Sequence, residues 1–322
     1  MTHQHPFLRL LLRSSWLFVL GSRAAFGQQV VAPSLLAADA KPALFAPGVA
    51  TTPYTEWSTS FSPDGNTVYF SQGAVYWTIV SSRRQGTGWA TPKVVSFSGQ
   101  WNDTDPFVSP DGKRLFFISN RPLPDSSQVK PQKTYHIWYV EQLREGAWSA
   151  PQHVSFPINL PGSSNYAPSV SSKGTLYFCA RDREGHAGMA SYAARWTGQQ
   201  YETPTLQVLH DTQESQDPFI SPDEKYVLFV SGNDLYFALK QGAGWATAQK
   251  LGKQVNNGDS NSSPYISRDG KTLYYSSARM QGFYKRQHPA PALNYEGLLK
   301  ELNGPFNSFP NILTIPISLP GG

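Results

Sequence analysis

Val108 to Asn120 reads VSPDGKRLFFISN, and the way this stretch folds decides the rest. Ser109-Pro110-Asp111-Gly112 is turn chemistry. Proline presets φ at the first corner, aspartate can hydrogen-bond its own backbone, and glycine accepts a positive φ. Leu115, Phe116, Phe117 and Ile118 follow as an apolar, aromatic run that suits a strand covered on both faces. The unit is a β-hairpin, and it recurs: FSPDGNTVYFS from Phe61, VSSKGTLYFCA from Val170, ISPDEKYVLFVS from Ile220 and ISRDGKTLYYSS from Ile266. The hairpin serines Ser62, Ser109, Ser171, Ser221 and Ser267 stand 46 to 62 residues apart. Propeller blades of four strands repeat at about 40–50 residues.

Working outward, each unit holds more than its hairpin. A third strand is expected at Val75–Val80, His136–Val140, Met189–Ala193, Asp234–Phe237 and Asn311–Ile315. An outer strand opened by an aromatic is expected at Gly88–Pro92, Ala147–Pro151, Gln200–Pro204 and Gly244–Ala248. Each unit therefore reads as a four-stranded antiparallel meander. The fifth unit ends after its third strand, while Ala43–Val49 offers one spare strand ahead of the first hairpin. Placing that strand on the last blade pairs two otherwise exposed edges and closes the ring. The expectation is an all-β, five-bladed β-propeller over residues 43–322. Six blades is the alternative, if residues 28–60 and the long insertion of the last unit build another sheet.

Composition agrees with this class and excludes others. The chain has 322 residues, with Gly and Pro at 26 each, 13% aromatic and 15% charged residues. Soluble domains average about 25% charged. The formal charge of +5 includes Arg9, Arg13 and Arg23 in an acid-free N-terminal segment, and without them it falls to +2. That is no nucleic-acid footprint. The single cysteine, Cys179, lies in a repeated strand and reads as a small buried hydrophobe. Residues 1–27 read as a secretory signal: Arg9 and Arg13, an apolar stretch Trp16–Leu20, and small residues at Ala25-Phe26-Gly27 or Ser22-Arg23-Ala24. Residues 28–42 read as a flexible leader. No later run approaches the ~20 apolar residues of a membrane span. The expected location is the periplasm or the exterior, and the expected state a monomer.

The motifs resemble those of the TolB-like, WD-repeat-like β-propellers of exported bacterial proteins. That pattern, P-x-x-S-P-D-G-x-x-L-Y-F-x-S-x-R, is matched nearly throughout by Pro106–Arg121. Pro218–Ser231 has Glu224 for the glycine, Pro264–Arg279 has Arg268 for the second proline, and Pro168–Arg181 has lost the Pro-Asp. The resemblance implies an exported propeller that binds or scaffolds, and it says little about chemistry, because propellers host many activities.

Strand parity assigns the faces. The S-P-D-G turns share one face of the disc. The links between strands two and three and between blades share the other, and both insertions, Arg121–Tyr135 and Met280–Pro310, fall there. Candidate residues on that face are Glu56, Asp105, Tyr166 and Asp217 from the inter-blade links, and Arg121, Arg181 and Arg279 at the ends of second strands. Acids and arginines around a channel mouth suit a polar ligand, a cell-envelope glycan or a partner protein. The structural alternative is that the arginines pair with acids and hold the ring. No nucleophile elbow, phosphate loop, paired histidine spacing or calcium-loop spacing is present. Neither a cofactor, nor a metal, nor a catalytic residue is thus assigned. A second functional class is a polysaccharide hydrolase or lyase using two of Glu56, Asp105 and Asp217 as acid and base.

Overall fold

A computed structural model of the chain describes residues 34–320, apart from 125–128, 145, 184, 213 and 288–289. The expected signal segment lies outside the described residues, as does the start of the leader. Among the described residues, the strands form five antiparallel sheets, each a meander of four rungs. The chain is a five-bladed β-propeller, and the six-bladed alternative falls away.

The first strands are Thr55–Phe61, Asp103–Val108, Asn165–Val170, Gln216–Ile220 and Asn261–Ile266. Each touches the first strand of the next blade, and the fifth touches the first, so together they wall the central axis. The S-P-D-G turns lead into the second strands, which are almost wholly buried: Leu115, Phe117 and Ile118 are at most 1% exposed. This is why these runs are continuously apolar instead of alternating. The fourth rung is short everywhere, and in blades one, two and four it is interrupted into two pieces, as at Gly88–Trp89 and Lys93–Val94. Its tryptophans pack onto the preceding blade: Trp148 on Tyr69 and Trp245 on Tyr177, both edge-on.

Closure follows the expected logic with fewer residues. Ala43–Leu44 pairs antiparallel with the third strand of blade five, Ala43 opposite Thr314. The expected run to Val49 stops early because Ala46 and Gly48 take positive φ angles of 43° and 79° and turn the chain away. Thr51 then donates to the carbonyls of Phe45 and Ile312, locking the turn to blade five. Part of the expected leader also joins the domain: Leu35 and Leu36 are buried in the main core, and Ser318 N–H donates to Leu35 C=O. The insertion of blade five carries the expected short helix at Tyr295–Leu302, capped by Asn294, whose side chain accepts from Gly297 N–H.

Candidate functional site

Each first strand carries one irregularity at the same place. The register slips between Trp57 and Ser60, Thr104 and Phe107, Tyr166 and Ser169, Gln216 and Phe219, and Ser262 and Tyr265. These are β-bulges, and the bulged residues Ser58, Asp105, Ala167, Asp217 and Ser263 all have φ between 47° and 54°. In four blades the next residue is proline: Pro106, Pro168, Pro218 and Pro264. A proline has no N–H to give the ladder, so it fits where the ladder is already broken.

The bulge sets four levels along the axis. Two residues before it, Glu56, Asp103, Asn165, Ser215 and Asn261 are buried and fasten neighbouring segments. One residue before it, Trp57, Thr104, Tyr166, Gln216 and Ser262 face a cavity of about 280 Å³ at the channel mouth, and Asp105, Asp217 and Ser263 of the bulge level form its floor. Two residues after it, Phe107, Phe219 and Tyr265 pack with ring centroids 5.1–6.4 Å apart and plug the channel. A small space of about 40 Å³ separates floor and plug. The mouth is a blind pocket.

Its walls are aromatic. Trp57 and Trp77 stack at 4.2 Å, and Tyr135 and Tyr166 lie 6.2 Å apart. Trp57 Nε1–H donates to Thr104 Oγ1 (2.6 Å), and Asn102 joins both walls: its Oδ1 accepts from Trp77 N–H, and its Nδ2 donates to Tyr135 Oη, each at 2.6 Å. The floor is acidic. Asp105 accepts from Ser58 Oγ at 2.6 Å and from Ala167 N–H at 2.9 Å, and Asp217 accepts from Ser263 N–H at 2.9 Å. Burial raises both carboxyl pKa values. The Asp105 charge adds to the effect on Asp217, which is pushed up to about 6. Among the described residues, no Lys, Arg or His lines the pocket.

Of the residues expected from sequence, Asp105, Tyr166 and Asp217 meet in this pocket. The other four stand elsewhere. Glu56 is fully buried, accepting from Thr52, Gln72 and Asn311, and it ties blade one to blade five. Arg121 is 8% exposed, paired with Asp103 at 2.7 Å, bonded to Phe97 C=O and laid over the Phe117 and Trp138 rings. Arg279 lies 3.9 Å from Asp259 and reaches Gln254 C=O. Arg181 is exposed at a strand end, and its expected equivalence to Arg121 is corrected: Arg183, 1% exposed, donates to Pro157 and Ile158 carbonyls over the matching rings, Phe178 and Tyr192. Arg183 stands twelve residues after its hairpin serine, Ser171, as Arg121 and Arg279 stand after Ser109 and Ser267; the turn of blade three is one residue shorter, and the residue at positive φ, Asp182, makes up the difference. Thus Arg121, Arg183 and Arg279 each hold the link from the preceding blade. Sequence reasoning missed Trp57, Trp77 and Tyr135. The residue pair ahead of each repeated proline does not reach them, since blade one has Thr59 in that place, Trp77 opens a third strand and Tyr135 immediately precedes one.

Fold and pocket together define a five-bladed propeller with an aromatic-walled, acidic, blind channel mouth. No protein-family model matches the sequence, and no curated protein matches it. Solved structures similar to it include an α-L-arabinofuranosidase from Lactobacillus brevis, at 12% identity over 84% of this chain and 92% of that one, TM-score 0.50. TolB from Acinetobacter baumannii is similar at 16% identity over 83% of this chain, TM-score 0.45, and this chain spans 55% of that TolB. The gluconolactonase XC5397 from Xanthomonas campestris is similar at 11% identity over 88% of this chain and 92% of that one, TM-score 0.46. At such identities these likenesses show the fold alone. Among the described residues, no helix is long and apolar enough to cross a membrane.

Proposed function

We propose that this propeller is an exported binding module that takes a sugar unit of a cell-envelope glycan in its channel mouth. The observation that carries this reading is the pocket of about 280 Å³ with Trp57, Trp77, Tyr135 and Tyr166 as walls and Asp105 and Asp217 as floor. Sugar rings present apolar faces that stack on aromatic rings, and hydroxyls that donate to carboxylates. The pocket is concave and narrow, which fits a saccharide better than the flat patch of about 800 Å² per partner typical of a protein complex. Export rests on the reading of residues 1–27. Titration with oligosaccharides, read by tryptophan fluorescence, tests the site. Binding should quench or shift the emission, and Trp77→Ala should weaken it at least tenfold without lowering the unfolding midpoint by more than a few degrees. An array of envelope glycans that gives no signal rejects the reading.

One observation favours a second reading, glycoside hydrolysis. Asp105 and Asp217 face one space, and burial together with the Asp105 charge pushes Asp217 up to about 6, so that Asp217 suits the acid and Asp105 the base of such a pair. Glu56 is out of reach, so this pair alone remains. Release of reducing ends by the wild type, abolished in Asp217→Asn while binding persists, would establish it.

A further inference from the structure

Among the described residues, the two carboxylates on the pocket floor have no cationic partner. Asp105 and Asp217 are satisfied only by neutral donors: Ser58, Thr104 and Ala167 for the first, Ser263 for the second. The groups able to titrate around that space are Tyr135, Tyr166, Cys179 and Tyr265, none of which becomes positive. The arginines nearest in sequence are spent on the links between blades, Arg121 on Asp103 above all. Two like charges therefore face one space with no counter-charge among the described residues, an arrangement that costs free energy until a cation arrives.

The walls indicate which kind of cation. Among the described residues, no group of three or more His, Cys, Asp or Glu side chains converges, so the two carboxylates fall short of the six to eight oxygens a calcium ion takes. Indole and phenol faces supply no metal ligands here, but they attract organic ammonium groups through the ring quadrupole. The Trp57–Trp77 stack and the Tyr135–Tyr166 pair stand over the acidic floor. Carboxylates below and aromatic faces beside form a cage for a protonated amine attached to an apolar or ring-shaped body.

We infer that the pocket selects a free amino sugar: the hexosamine ring stacks on the aromatic walls and its ammonium group sits between Asp105 and Asp217. This rests on the sugar reading of the mouth and deepens it. An N-acetylated unit keeps the ring but loses the charge and adds bulk where the floor is narrow. A neutral hexose keeps the stacking and can give the carboxylates hydroxyl donors, but it brings no positive charge to set between them.

The test is calorimetric titration of the full chain at pH 7 with three tetrasaccharides: glucosamine tetramer, its N-acetylated form and cellotetraose. The expected result is binding of the glucosamine tetramer at least tenfold tighter than either other sugar. Tightness should fall at least tenfold in Asp217→Asn and also in wild type at pH 4.5, where the floor takes up protons. The preference for the glucosamine tetramer over cellotetraose should also shrink at least tenfold in Asp217→Asn, whereas a merely damaged pocket weakens both sugars alike and keeps the preference. Equal binding of all three sugars overturns the inference and leaves the sugar reading standing. Tighter binding of the N-acetylated or neutral sugar does the same. Binding of none overturns both, and so does butylammonium binding as tightly as the amino sugar.

Discussion

Asp217 is the residue whose environment is least comfortable, and its protonation makes the clearest forecast. Burial and the facing Asp105 charge raise its pKa from 3.8 to about 6. A carboxylate whose pKa is raised in the folded state stabilises the fold below its unfolded pKa, and that contribution is lost as pH rises through the folded pKa. The window here runs from about pH 4 to about pH 6. About 2 pKa units correspond to on the order of 2–3 kcal/mol. Asn in place of Asp keeps an acceptor for Ser263 N–H and removes the charge. Asp217→Asn should therefore raise the urea midpoint at pH 7 relative to wild type, with the two converging near pH 4. Parallel curves across that range would show that the charge at 217 costs nothing. The Asp103–Arg121 pair behaves oppositely, because both partners are buried and paired at 2.7 Å. Asp103→Ala strands a buried guanidinium and should cost about 3–5 kcal/mol by denaturant unfolding. The double variant Asp103→Leu with Arg121→Met should recover most of that loss. A double variant as unstable as the single one would mean that the ion pair is not what the site needs.

The bulge near the start of every first strand is the element that makes the site. It turns two consecutive residues towards the channel where a plain strand would turn one, and it holds five non-glycine residues at positive φ. A left-handed L-residue costs about 1–2 kcal/mol, more when β-branched. Ala167, at φ 47°, exposes this cost most simply, since its side chain makes no polar contact while its N–H serves Asp105. Ala167→Val should lower stability by at least about 2 kcal/mol and weaken ligand binding by moving the floor, whereas Ala167→Gly should leave both within about 1 kcal/mol of wild type. Equal stability of the valine and glycine forms would refute strain at the bulge. The repeated hairpins, the blade count and the closing strand were legible because turn chemistry and apolar runs are local signals, five times repeated. The channel-facing set was half legible. Asp105, Tyr166 and Asp217 were visible as polar residues ahead of a proline. Trp77 read only as part of the expected third strand Val75–Val80, and Trp57 drew no reading because blade one lacks the proline that follows the bulge elsewhere. Arg181 was mistaken for Arg183 because it ends the second strand, whereas Arg183 stands as far beyond Ser171 as Arg121 stands beyond Ser109.

At the scale of the whole molecule, stability is a matter of closure. Blades are neighbours in sequence everywhere but at one seam, where the third strand of blade five, Asn311–Pro316, takes its fourth rung from Ala43–Leu44. That rung has two residues, no more than the fourth rung of blade three, Thr205–Leu206, and here it alone joins the two ends of the ring. Its support comes from packing: Phe45 lies edge-on to Trp89 and Tyr274, and Leu35 and Leu36 sit in the main core. A ring opened at the seam exposes two strand edges and the flanks of blades one and five together. Unfolding should therefore begin there, and a covalent seam should delay it. Ala43 and Thr314 are directly opposed and neither is buried, so Ala43→Cys with Thr314→Cys should form a disulfide without disturbing the core. Cross-linking positions so distant in sequence should add about 2–5 kcal/mol. It should raise the urea midpoint of the oxidised protein over the same protein reduced, and Cys179, buried at 1% exposure, should stay out of the exchange. If oxidised and reduced forms unfold together while mass analysis confirms the bond, the seam is not the weak point, and the first opening lies between other blades.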